Sequence, residues 1–271
     1  ILQCGAEMGA GFSKFVGTGN EADLHFEDFV EYLGQDDETK VITGYIEGLR
    51  EGKRFFRLAK SITKGKPIVV VKVGKTEAGA KAAKSHTSAI AGSNTIYDVM
   101  FKQAGVIRVG DVGELFDVAS ALLRLPLPKG NRVGVLTSGG GFACVVSDAC
   151  ESLGLEMASL SPHTVERLNA VLPPRWPHAN PIDTVAAGFV TYPCLWPLME
   201  DDNIDALLVV DAIGYSVMMH QWASYAPLPL REKADEIFGR EEEEELKGLD
   251  KLFEYMDKYQ KPVIISGNLT G

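Results

Sequence analysis

The sequence is poor in cysteine. The four it has in 271 residues, Cys4, Cys144, Cys150 and Cys194, form no CxxC pair and no Cys/His ligand spacing. That excludes a disulfide framework and a zinc site, leaves no metal ligand set in the chain, and fits a reducing, cytoplasmic setting. No apolar stretch approaches the roughly 18 residues that a membrane helix needs, so a membrane partner is not expected. Basic residues are too few for a nucleic-acid surface: 27 Lys and Arg stand against 37 Asp and Glu, a net charge of −10. Residues 1–128 hold 16 of each sign, so the whole acidic excess falls in the remainder. The SGGG turn at Ser138 to Gly141 is not the GxGxxG dinucleotide fingerprint and does not carry the GK[ST] of a P-loop, and the GxSxG elbow of a serine hydrolase is missing from the sequence. The opening ILQCGAEMGAG has no initiator methionine and no basic n-region, so it is not a signal peptide and reads as the interior of a longer chain.

What is present is a regular alternation of strand-like and helix-like segments. Gly9 to Val16 ends in a short apolar segment, read as a strand, and a glycine turn leads to an amphipathic helix carrying Leu24, Phe26, Phe29, Val30 and Leu33, with Asp23 as candidate cap. VITGYIEGL is a second strand ending at Glu47 and Gly48, Glu51 to Thr63 a helix, and KPIVVVKVG a third strand, wholly apolar as an internal parallel strand should be. SNTIYDVMFKQAG, VIRVG and VGELFDVASALLRL give helix, strand and helix. Pro126, Pro128, Lys129 and Gly130 break the pattern and form the expected linker.

The same alternation then restarts. Val133 to Leu136 is a strand, Ser138 to Gly141 a glycine-rich turn, Phe142 to Ser152 a helix followed by a short strand, and HTVERLNAVLP another helix. HANPIDTVAAG reads as a loop, YPCLWPLMEDDNIDALLVVDAIG as helix and strand, Leu228 to Tyr259 as a charged helix, and KPVIISG as a last buried strand. The fold class is therefore α/β, two tandem doubly wound parallel sheets, with domains at 1–127 and 128–271.

Two stretches carry candidate chemistry. Lys72 to Gly92 sets His86 among Lys72, Lys75, Lys81 and Lys84, opposed only by Glu77, with small residues that keep the backbone approachable. Such a site suits a polyanion, and a histidine there suits phosphoryl carriage. Ser85 and Thr87 are candidate donors to an oxyanion, though hydroxyls in that position also cap helices. A phosphohistidine needs its second ring nitrogen held by an acceptor, and Glu47, at a strand end, is the candidate. The second stretch is Ser138, Gly139, Gly140 and Gly141 between a strand and a helix, a phosphate cradle by mechanism; close packing alone is the competing explanation for its glycines.

The series GFSKFVGTGNEADLHFEDFVEYLGQDDETKVITGYIEGL, KPIVVVKVGKTEAGAKAAKSHTSAIAGS, GNRVGVLTSGGGFACVVSDACESLGLE and NPID closely resembles the NDP-forming acyl-CoA synthetases, relatives of succinyl-CoA synthetase. The resemblance implies that both halves are flavodoxin-like. It implies that His86 is the phosphorylated histidine, Glu47 the carboxylate that steadies it, and Ser138 to Gly141 one of two helix N-termini that hold phosphate. The implied cofactors and substrates are CoA, phosphate, ATP or ADP with magnesium, and a carboxylate or its acyl-CoA. The implied partners are a CoA-binding domain and an ATP-grasp domain, which the resemblance places outside these residues, and a homo-oligomer is compatible with it. The family usually has SHTG, whereas Ser88 follows Thr87 here. The rival implication is a non-catalytic ligand-sensing module, as in the synthetase-like part of some protein acetyltransferases; those generally lack the histidine. The acyl group is left open, with Phe15, Asn20, Tyr45 and Tyr215 as candidate walls.

Overall fold

A computed structural model describes residues 1–74, 94–185, 190–214, 222–225 and 227–266, without the side chains of 229–244. The chain divides into two compact units, Ile1–Leu125 and Pro126–Gly271.

In the first unit the elements are α1 (Leu2–Glu7), α2 (Phe26–Gln35), β1 (Ile42–Ile46), α3 (Gly52–Ile62), β2 (Ile68–Lys72), α4 (Asn94–Ala104), β3 (Ile107–Val109) and α5 (Val112–Arg124). The strands form a parallel sheet in the order β1-β2-β3, with Ile46 opposite Lys72 and Val71 opposite Val109. Side chains of a strand alternate between faces, so β2 serves two cores. Ile68 and Val70 pack with Val30, Phe55 and Phe101 of the α2, α3 and α4 layer, while Val69 and Val71 pack with Val109 and Leu115 of the α5 side. An all-apolar strand is thus what a sheet covered on both faces requires.

The segment Gly9 to Val16 is not a strand. Lys14 anchors it by side chain, its Nζ 2.8 Å from Asp36 and 2.9 Å from Glu38. Phe15 and Val16 line a cavity of about 270 Å³ together with Thr43 and Tyr45 of β1, and among the described residues β1 pairs only with β2. Asp23 does not cap α2 either. That role falls to His25, whose backbone N–H donates to Asp28 Oδ2 at 2.7 Å.

The second unit contains β4 (Arg132–Thr137), α6 (Gly140–Ser152), β5 (Glu156–Met157), α7 (Pro162–Asn169), β6 (Ile182–Asp183), α8 (Thr191–Glu200), β7 (Ala206–Val210), α9 (Leu228–Tyr259) and β8 (Val263–Ser266). All pairings are parallel, in the order β5-β4-β7-β8, the flavodoxin-like arrangement. Three boundaries differ from those expected. Helix α6 begins at Gly140, so two of the turn's glycines lie in its first turn. The segment read as a loop contains β6, which pairs with the end of β4 through Leu136↔Ile182 and Thr137↔Asp183. Strand β8 is a sheet edge with Ile264 exposed, not a buried strand.

Strand β4 meets β5 at its start and β6 at its end, and Asn180 fills the gap between them. Its carboxamide accepts from Val135 N at 2.9 Å and donates to Val133 O at 2.8 Å and Ala158 O at 3.0 Å. A side chain thereby replaces ladder bonds that buried backbone cannot leave unmade. It also fixes where the adjoining Ile182–Asp183 strand lies.

Candidate functional site

In the first unit Glu47 follows the last residue of β1, at the carboxyl edge where open parallel sheets bind ligands. Its Oε2 is buried and has no hydrogen-bond partner among the described residues. A buried carboxylate oxygen without a donor carries a desolvation cost larger than the net worth of an ordinary hydrogen bond.

The loop that carries Glu47 is held from three sides. Tyr97 Oη accepts from Leu49 N at 3.1 Å, Glu27 Oε1 accepts from Glu51 N at 2.9 Å, and Arg50 Nη2 donates to Asn20 O at 2.9 Å. Glu27 is fully buried and its Oε2 also lacks a partner among the described residues. Burial, above all, pushes the Tyr97 phenol up, and the carboxylate of Glu27 adds to this, while the Leu49 N–H pulls it back.

Lys72, expected to attract an anion, is only 3% exposed. Its ammonium lies 4.7 Å from the centroid of the Tyr97 ring and donates to Val73 O. Burial is the main cause that holds its pKa below the ordinary lysine range, with repulsion from Arg108 acting the same way and the charge of Glu47 opposing both. Lys72 therefore shapes the potential from beneath the sheet's edge and is not a surface contact. His86, Ser85, Thr87, Lys75, Lys81, Lys84 and Ser88 lie outside the described residues, as does Tyr215.

In the second unit the turn Ser138–Gly141 lies at the carboxyl end of β4 and opens α6 with Gly139 as N-cap. The sheet order reverses between β4 and β7, a topological switch point, and Ser138 Oγ donates to Asp211 Oδ2 at 3.1 Å across that crevice. The surroundings of the glycines bear on the packing explanation. Among the described residues, chain neighbours and the helix's own backbone apart, a Cβ at Gly139 or Gly141 would meet no atom within 4 Å, and at Gly140 only Asp183 Oδ2 at 3.5 Å. Gly139 has φ −168°, ordinary extended backbone. Among the described residues neither close packing nor a left-handed torsion demands glycine here.

The first-turn N–H groups of α6 make this end positive. Two carboxylates stand beside it, Asp211 engaged by Ser138 and Asp183 accepting from Val185 N at 2.7 Å. Sequence reasoning missed both. For Asp211 the available signal was an acidic residue directly after the apolar run ALLVV, while Asp183, in NPID, had none because its two-residue strand is not readable from the sequence. Tyr97 and Glu27 were missed as well, because nothing in their local sequence separates them from core and surface residues of an amphipathic helix. Among the described residues no group of three or more His, Cys, Asp or Glu is placed to hold a metal ion. None of the described helices is long and apolar enough to cross a membrane.

Comparison with known proteins gives concordant matches. Residues 1–122 match the family described as succinyl-CoA ligase like flavodoxin domain. The alpha subunit of ADP-forming acetate–CoA ligase II from Pyrococcus furiosus is 43% identical over 202 residues, which is 74% of this chain and 44% of that protein. The ADP-forming acetate–CoA ligase I of Archaeoglobus fulgidus is 42% identical over 78% of this chain and 31% of its own length. The chain thus spans less than half the length of these curated relatives. Among solved structures, the dinucleotide-forming acetyl-coenzyme A synthetase 1 of Ca. Korarchaeum cryptofilum, in complex with phosphate and ADP, superposes with TM-score 0.68 at 32% identity, covering 83% of this chain and 48% of that one. Its apo form gives TM-score 0.71 at 28% identity over 97% of this chain and 57% of that one.

Proposed function

Residues 1–122 form a succinyl-CoA ligase-like flavodoxin domain and the chain is a relative of the ADP-forming acetate–CoA ligases; from that premise we propose that it is the phosphoryl-carrying part of an NDP-forming acyl-CoA synthetase. In the direction of acid activation, the terminal phosphoryl group of a nucleoside triphosphate passes to a ring nitrogen of His86 and the diphosphate leaves. A carboxylate oxygen of the acid then attacks phosphorus, the P–N bond breaks, and an acyl phosphate forms. The CoA thiol attacks the acyl carbon, releasing phosphate and its own proton, and the thioester results. Each step is reversible.

The protein's share of this work is to position dense negative charge and offset it. Glu47 accepts the proton of the second ring nitrogen of His86, which keeps the attacking nitrogen's lone pair free and stabilises the imidazole once phosphorylated. Lys75, Lys81 and Lys84 attract the anion, Ser85 and Thr87 donate to it, and the Ser138–Gly141 turn offers main-chain N–H groups. The 1–127 domain carries the histidine and the 128–271 domain the glycine-rich phosphate turn. CoA binding and the nucleotide site with its magnesium belong to further domains or to a partner subunit. The single observation that carries the reading is the Oε2 of Glu47, buried at the carboxyl end of β1 with no hydrogen-bond partner among the described residues.

The complete enzyme, this chain together with its CoA- and nucleotide-binding parts, is expected to take an acid-labile label from γ-labelled triphosphate. His86→Ala abolishes the label, and Glu47→Gln reduces its yield at least tenfold with the thermal transition preserved. Full labelling of His86→Ala would remove the histidine from the mechanism, and an unchanged yield in Glu47→Gln would remove the carboxylate.

A further inference from the structure

Strand β2 is apolar until its last residue, and that residue is a lysine. Lys72 is 3% exposed, so its ammonium is carried into a core that methionine or leucine would fill at less cost. We propose that Lys72 is a positioning residue for the phosphoryl transfer read above: it is the buried countercharge that lets Glu47 receive a ring N–H of His86 as a carboxylate down to mildly acidic pH. The proposal rests on that reading, which puts the histidine at Glu47.

The register of the sheet brings lysine and carboxylate to the same edge. Ile46 lies opposite Lys72, and Val73 N donates to Ile46 O at 3.0 Å, so the end of β2 is closed against the residue just before Glu47. Tyr97 ties the arrangement from the helix side. Its ring holds the Lys72 ammonium at 4.7 Å from the centroid, while its Oη accepts from Leu49 N, two residues beyond Glu47. Neither that ring nor the Val73 carbonyl, to which Nζ donates, cancels the charge of the lysine. The charge of Glu47 acts on the ammonium as an attraction and opposes the effect of its burial.

The neighbouring charges have other engagements. Arg108 of β3, whose Nη2 reaches Lys72 O at 3.4 Å, is paired with Asp98 and bonded to Asn94. Arg50, on the loop itself, meets Glu21 at 3.6 Å, and Glu27 of α2 accepts from Glu51 N. Arg54 of α3 is held by Asp28, Glu31 and Glu51. Among the described residues this leaves the Lys72 ammonium to balance Glu47, whose Oε2 is buried without a hydrogen-bond partner there. A buried carboxylate keeps its charge through a nearby cation; where the cation is removed, the proton is retained to higher pH.

The test is the initial rate of acid-labile labelling from γ-labelled triphosphate in the complete enzyme, followed from about pH 5 to 8 with an alkaline quench. Lys72→Met is expected to move the acid limb of the profile to higher pH by at least about half a unit, and Lys72→Arg, which keeps the charge, to restore it. The midpoint is read within each variant, so a smaller folded fraction lowers the height of the profile and leaves its position alone. A merely structural lysine would change the height only. In a Glu47→Gln background, Lys72→Met is expected to shift the midpoint no further, as a residue acting through the carboxylate requires. A Lys72→Met profile that coincides with the wild type, a Lys72→Arg profile displaced as far as that of Lys72→Met, or an equal shift in both backgrounds overturns the proposal. The two readings fail separately. A wild type that takes no acid-labile label removes the function itself, and the role of Lys72 with it; a labelled wild type with an unmoved Lys72→Met profile removes the role of Lys72 alone.

Discussion

Replacing Tyr97 by Phe isolates one hydrogen bond under the Glu47 loop. The ring is retained, and with it the Lys72 ammonium at 4.7 Å from the centroid and the Phe101 ring at 5.6 Å. Lost is the phenolic oxygen that accepts from Leu49 N at 3.1 Å. Tyr97 is 7% exposed, so water reaches the vacated position poorly and the Leu49 N–H is left without an acceptor. A donor stranded in this way costs about 1–2 kcal/mol. For a unit the size of Ile1–Leu125 that corresponds to a Tm lower by about 4–8 °C. Tyr97→Leu, which also removes the cation–π contact and the aromatic packing, is expected to cost about 2 kcal/mol more.

Calorimetry or urea titration of the two variants reads these values directly. The functional consequence is a looser Glu47, so the yield of acid-labile phosphoryl label in Tyr97→Phe is expected to fall more than the small loss of folded protein explains. A Tm change under about 2 °C would show that Leu49 N finds another acceptor. A loss in Tyr97→Phe equal to that of Tyr97→Leu would refute the separation of hydroxyl from ring on which the argument rests.

Other consequences concern the second unit. Lys261 is 6% exposed and its Nζ donates to the carbonyls of Leu198, Met199 and Asp201 at 3.2, 2.8 and 2.8 Å, closing the C-terminus of α8; Lys261→Met is expected to destabilise by about 2–4 kcal/mol in urea unfolding. Burial brings the Lys261 pKa down to about 8. The unfolded chain, titrating near 10.4, therefore binds more protons between those values, and the stability of the wild type relative to the Met variant rises with pH across that window. Asp205 accepts from Nε, Nη2 and the main-chain N–H of Arg132, whose hydrogen bonds hold its carboxyl below the usual carboxylate range. Its contribution is present above about pH 4 and is lost as pH falls through the depressed folded value, so the Tm gap between wild type and Asp205→Asn is expected to close on acidification.

The sheet of each unit was legible because the physics that makes it is local. Ile68 to Val71 can only be a strand buried on both faces, and Ser138 to Gly141 after an apolar run marks a turn into a helix. Gly9 to Val16 misled for the opposite reason. Its apolar residues suit a strand, but whether they pair is decided elsewhere, by Lys14 reaching Asp36 and Glu38. The two-residue β6 was equally invisible, since its existence depends on Asn180 satisfying Val133 and Val135 of a distant strand.

The candidate site divides along the same line. Glu47 was legible from position alone, as an acidic residue at the end of a parallel strand. What holds it was not, because that depends on register and helix placement. Ile46 lies opposite Lys72, α4 brings Tyr97 over that lysine and under Leu49, and α2 brings the fully buried Glu27 to Glu51. In an amphipathic helix a tyrosine on the inner face reads as packing and a glutamate in the first turn as a dipole partner. Only the fold converts them into acceptors for the two loop N–H groups flanking Arg50. The geometry that fixes the Glu47 loop thus resides in residues whose own sequence context gives no sign of it, and the loop is tied on both sides of Arg50 while Glu47 Oε2 has no hydrogen-bond partner among the described residues.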